Sequence, residues 1–206
     1  MNELASSAGK TNYTKSELGI VPGENNILFL EGRYTDTDAL DSPLDMYDGI
    51  FEIIHSSKKL PDVNFIIKFH PGTDTGYEIQ NKVNIIKEIE SKNIRLAPLD
   101  SNPDNYLDYC DLCIIYVSTL GLQFMKNNKF TIMLNYTEKE GSWPLKTTSN
   151  RAITVTKFGK LWKRIKDTLF EIEAQKQAKL AQNIVLNDML IQTDINELDA
   201  INHFLN

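Results

Sequence analysis

Six short apolar runs punctuate this chain and leave it few ways to fold. NILFLEG (26–32), VNFIIKF (63–69), LCIIYV (112–117) and FTIMLN (130–135) are the strong ones, with Ile94–Ala97 and AITV (152–155) as shorter companions. Runs apolar on successive residues, rather than on alternate ones, belong to strands covered on both faces. Helical stretches separate them. Ser42 is a plausible N-cap with Pro43 in the first turn, and Met46, Ile50, Ile53 and Ile54 follow at helical spacing. A helix is predicted over Tyr77–Lys92, a small one over Asp104–Tyr109, and one directly after STLG. Everything beyond Lys157 reads as helical, with a break near Thr193-Asp194. Strands alternating with helices predict a Rossmann-like, doubly wound, mainly parallel α/β sheet of about six strands, with helices on both faces and a helical C-terminal segment.

The 206 residues are 41% hydrophobic, enough for one well-packed core. Residues 1–20 are polar and rich in Ser, Thr and Asn, which predicts a flexible leader or linker remnant ahead of a single domain over 21–206. The net charge of −6 repels phosphate backbones and argues against duplex nucleic acid as a partner. It leaves room for a small anionic ligand held by local amides and cations. No run approaches the ~20 apolar residues that span a bilayer, and the N-terminus lacks a secretory apolar stretch. A cytoplasmic location is the expectation.

Ligands of open parallel sheets bind beyond the carboxyl ends of the strands, near the point where strand order reverses. That rule selects EGRYTDTD after the first strand, HPGTDTG after the second and STLG after the fourth. His70 stands at a strand tip, where Pro71 biases it toward extended backbone and Gly72 follows. Its imidazole could donate to a phosphate oxygen or close the loop on a carbonyl. Ser118 and Thr119 open a helix, with Gly121 close behind. Their hydroxyls and the helix-start amides suit an anion, and they equally suit ordinary N-capping.

FHPG at 69–72 and VSTLGLQF at 117–124, with YLDYCDLCIIY leading into the latter, resemble the paired HP and S-S/S-T motifs of bacterial GT-B glycosyltransferases. Sialyltransferases, capsule-type Kdo transferases and capsular polysaccharide enzymes share the pattern. The CDP-glycerol glycerophosphotransferases that build poly(glycerol phosphate) wall polymers have a similar layout. The resemblance covers roughly residues 19–160. It implies the C-terminal, nucleotide-sugar-binding half of such an enzyme, taking a CMP- or UDP-linked donor without a metal or other cofactor. His70 would then contact the donor phosphate, and Ser118 and Thr119 would cradle it. The acceptor site and general base would come from a separate domain or subunit. Many relatives carry a glutamate where this chain has Gln123, which can still bond a ribose hydroxyl but bears no charge. That departure also fits a nucleotide-binding or scaffolding domain without turnover.

Weaker candidates surround these. Gly32-Arg33 could bring a guanidinium to a diphosphate, and Asp74 and Thr75 could touch donor hydroxyls or simply form the turn. The loop carrying Glu138, Glu140, Trp143 and Pro144 could close over a base or sugar. Cys110-x-x-Cys113 invites a metal or redox reading, but His55 and His203 supply no ligand spacing, so core packing is the expectation. The basic start of KFGKLWKRIKDTLFEIEAQKQAK could face a membrane surface, or be the solvated side of a helix packed on the sheet.

Overall fold

The computed structural model describes residues 13–31, 47–69, 76–116, 118, 120–136 and 153–187, and for 76–78 the backbone alone. Six strands form one sheet: β1 (Asn25–Glu31), β2 (Val63–Phe69), β3 (Ile94–Leu96), β4 (Leu112–Ile115), β5 (Phe130–Leu134) and β6 (Thr154–Val155). Their order is β3-β2-β1-β4-β5-β6 and every pairing is parallel. This is the Rossmann order, in which the chain works outward from β1 to one edge and then returns to β4 on its other side.

Alternation along the strands sorts the core into two layers. Ile27, Phe29, Phe65, Ile67, Ile114 and Leu134 face one side, against Ile50, Ile53 and Ile54 of α1 (Asp48–Lys59), Ile86 of α2 (Gly76–Glu88), and Leu161 and Ile165 of α4 (Leu161–Phe170). Leu28, Ile66, Cys113, Ile115 and Met133 face the other, against Leu120 and Phe124 of α3 (Leu120–Lys126) and Ala178, Ala181 and Val185 of α5 (172–187). All seven residues of β2 are buried, including Asn64 and Lys68. Asn64 donates to the Gly19 carbonyl and the Asn26 amide oxygen, both at 2.8 Å, and Lys68 donates to the Pro98 and Leu99 carbonyls at 3.1 and 2.8 Å. These bonds replace the water that burial removes.

Several boundaries differ from the sequence reading. The packed domain reaches further toward the N-terminus than residue 21. Leu18 and Ile20 are buried in the α3–α5 layer, and the Asn26 side chain clasps Val21 through bonds to both its N–H and its carbonyl. Helix α2 stops at Glu88 rather than Lys92, because Glu90 takes a left-handed φ of 49° without a glycine to announce it. The helix expected at Asp104–Tyr109 is a 3₁₀ turn over Pro103–Tyr106, capped by the Asn102 side chain. Among the described residues the C-terminal helices break at Glu171, whose extended ψ of 113° separates α4 from α5. Ser42, Pro43 and the Thr193-Asp194 break lie outside the described residues.

Candidate functional site

The sheet brings the carboxyl ends of β2, β1 and β4 level with one another. Leu30 of β1 is in register with Lys68 of β2 and with Ile115 of β4, and Glu31 is in register with Phe69. The chain segments that follow β2 and β4 therefore leave the same edge, on either side of β1. Two strand spacings, about 10 Å, separate them. Strand order reverses between β1 and β4, so the place at which doubly wound sheets take ligands falls next to the β4 exit, where Ser118 stands.

Ser118 is half-buried just past β4. Its Oγ accepts the Leu120 N–H at 3.3 Å, and its carbonyl accepts the Gly121 N–H at 3.2 Å. The capping role is thus formed, while the hydroxyl proton is still able to serve another acceptor. Gly121 is buried against the sheet: a Cβ there would lie 2.5 Å from Ile115 Cδ1 and 3.2 Å from Thr131 Cγ2. Its close approach is to strands β4 and β5, and Thr131 Oγ1 donates to its carbonyl at 3.0 Å. Gln123 is exposed on α3, and its backbone carbonyl takes both the N–H and the side-chain amide of Asn127.

The other sequence candidates lie outside the described residues: Gly32, Arg33, His70, Pro71, Gly72, Asp74, Thr75, Thr119, Glu138, Glu140, Trp143, Pro144 and His203.

Three arrangements at this edge escaped the sequence reading. Glu31, the last residue of β1, forms a buried ion pair with Lys82 of α2. A signal existed, since Lys82 sits among Ile79, Val83 and Ile86 on the apolar stripe of its helix. Gly49, in the first turn of α1, lies beneath the ring of Tyr116: an added Cβ would stand 2.1 Å from Tyr116 Oη and 2.7 Å from Phe29 Cζ. Glu52, fully buried on α1, accepts the Tyr136 hydroxyl at 3.0 Å and the Gly159 N–H, joining the exits of β5 and β6. Burial raises its carboxyl above the ordinary range, opposed by those hydrogen bonds and by nearby His55.

Cys110 and Cys113 are both fully buried in the α3–α5 layer as free thiols. Burial raises both thiols well above their usual range, so neither offers a thiolate. Among the described residues no group of three or more His, Cys, Asp or Glu could hold a metal, and no helix is long and apolar enough to cross a membrane.

No protein-family model and no curated protein matches this chain. Solved structures do. The wall teichoic acid polymerase TagF is 12% identical, with 93% of this chain covering 47% of that one at a TM-score of 0.56. The UDP-GlcNAc 2-epimerase of Neisseria meningitidis is 12% identical, with coverages of 86% and 47% and a TM-score of 0.54. The C-terminal domain of a glycosyl transferase group 1 family protein (LpcC) from Francisella tularensis is 10% identical, with coverages of 86% and 97% and a TM-score of 0.56. This chain spans about half the length of the first two and nearly all of the isolated domain. The likeness is one of fold, and the fold of this chain is a six-stranded, all-parallel, Rossmann-like α/β sheet wound in both directions from its centre.

Proposed function

We propose that this chain is the donor-binding half of a GT-B glycosyltransferase, holding a nucleotide-activated sugar for surface or capsular polysaccharide synthesis. One observation carries the reading: the chain exits of β2 and β4, which bear the FHPG and VSTLG motifs, share a sheet edge and flank the switch point. Rossmann-like sheets receive phosphate-bearing ligands at that place. The likeness to a glycosyl transferase C-terminal domain along nearly its whole length supports it at the level of fold.

In this reading a donor phosphate lies at the edge between His70 and Ser118–Thr119. The Ser118 hydroxyl accepts from Leu120 N–H and donates its own proton to a phosphate oxygen, so capping and ligand binding use different parts of one group. His70 supplies a second donor, and a cation when protonated. Arg33, after Gly32, meets the distal phosphate, and Gln123 reaches a ribose hydroxyl. As the glycosidic bond breaks, negative charge grows on the leaving nucleotide, and donors already aimed at it lower the barrier. The acceptor and the general base come from another domain or subunit. The reading needs no metal, because the donors named here take up the charge.

A glycerophosphate-transferring variant of the same site is the second reading, favoured by the fold match to TagF over 93% of this chain. A melting-temperature screen with CMP, CDP, UMP, UDP, GDP, CMP-sugars and CDP-glycerol separates the two. A ligand at a hundred times its dissociation constant stabilises by about 2.7 kcal/mol. The strongest response is expected from a cytidine or uridine nucleotide, and preference for CDP-glycerol over CMP-sugars selects the second reading. No response to any nucleotide would overturn both.

A further inference from the structure

Residues 157–166, KFGKLWKRIK, carry five cations and no acid in a chain whose net charge is −6. Lys157, Lys160, Lys163 and Arg164 line one open cavity of about 300 Å³ between the outer edge strand β6 and helix α4. Residues 160, 164 and 167 follow helical spacing, so they form a stripe down the side of α4 that faces the groove. Asp167 is the one acid on the lining, and among the described residues no ion pair holds any of the four cations. Concentrating like charge around one hollow costs self-repulsion unless an anion relieves it.

The walls of the groove are fixed from behind. Glu52 takes the Gly159 N–H, and Phe158 packs its ring on Tyr136 at 6.3 Å between centroids. Leu161 and Ile165 anchor the far side of α4 in the core at 0% exposure. Lys160, the N-cap of α4, brings no side-chain acceptor to the first turn of that helix.

We propose that the β6–α4 groove is a second binding site, for a phosphate-bearing anion, held by Lys157, Lys160, Lys163 and Arg164. It lies two strands beyond β4, about 10 Å along the edge from the switch point, and does not depend on the donor-site reading. The same chemistry would take a soluble phosphate ester or the phosphate of a lipid headgroup, and the experiment separates the two.

The probe is inorganic pyrophosphate, titrated at low ionic strength into the ¹⁵N-labelled chain and followed by amide chemical shifts. Shifts are expected at Thr154–Arg164, weakening steeply as salt is added. The Lys160→Gln/Arg164→Gln variant, with circular dichroism and melting temperature as controls of folding, is expected to bind there at least about tenfold more weakly, since each surface cation contributes a few-fold. Its response at 118–123 is expected to be unchanged. Co-sedimentation with phosphatidylglycerol vesicles that is lost in the same variant assigns the ligand to lipid. Pyrophosphate shifts without sedimentation assign it to a soluble ester. Shifts confined to 118–123, or shifts at 154–164 that survive both substitutions, would overturn the groove as a site.

Discussion

The carboxylate of Glu31, at the end of β1, is ion-paired with the ammonium of Lys82 from α2, at side-chain exposures of 5% and 1%. The pair ties the helix that follows the β2 exit to the strand that borders the switch point. Removing one partner takes away the opposite charge that sits against the other in this buried place. Lys82→Met is therefore expected to cost about 3–5 kcal/mol. Glu31→Gln combined with Lys82→Met is expected to recover most of that, because no charge remains buried. Urea unfolding measures both; a single-variant cost under about 1 kcal/mol, the range of a solvated surface pair, would contradict the burial.

Gly49 and Tyr116 make a second coupled pair. A methyl group at 49 meets Tyr116 Oη and Phe29 Cζ, both buried, and cannot be housed without moving one of them. Gly49→Ala is expected to destabilise by about 1–3 kcal/mol, despite the roughly 1 kcal/mol that alanine gains over glycine in a helix. Adding Tyr116→Phe removes the nearest clashing atom and is expected to restore part of the loss. Additive effects in a double-mutant cycle would show that the two do not touch.

What could be read in the sequence and what could not divide along a physical line. The whole of β2 was legible because both of its faces are buried, and such a strand must be apolar almost throughout. Its exceptions, the Asn64 amide N–H group and the Lys68 ammonium, donate to carbonyls and an amide oxygen from distant segments, which no local pattern foretells. The end of α2 was misread because Glu90 holds a left-handed turn that usually falls to glycine or asparagine. The break at Glu171 was hidden because residues on both sides favour helix. For the candidate site, the loops could be chosen from strand ends alone, and Ser118 does open its helix. Lys82 on an apolar helical stripe signals a buried cation, but its pairing with Glu31, and that of Glu52 with Tyr136, could not be found, since the partners lie 51 and 84 positions apart.

Glu52 gives a pH test with a definite sign. Its carboxyl is raised above the ordinary 4.5, first by burial, so the native state holds its proton more tightly than the unfolded chain does. The stability this contributes is full below pH 4.5 and is lost as pH rises through the native value. The difference in unfolding free energy between wild type and Glu52→Gln is expected to shift against wild type as pH climbs from 4 toward 7. Parallel stability curves for the two proteins would mean that Glu52 is as well solvated when folded as when unfolded.

The cysteines are expected to be chemically silent in the native state. Both are at 0% exposure with thiols held protonated by burial, so an aromatic disulfide reagent should react only as fast as the protein opens. Labelling of two thiols in denaturant and none in buffer is the expected count. Rapid labelling in buffer would remove Cys110 and Cys113 from the core.

The functional reading stands on one donor phosphate shared between His70 and Ser118–Thr119. Its most direct test is a calorimetric titration of the nucleotide that most raises the melting temperature, into wild type and into His70→Ala. The expected result is affinity weakened by about tenfold or more, the loss of at least one charge-assisted hydrogen bond, with the ligand-free melting temperature unchanged. Equal affinity for the two proteins would contradict the account.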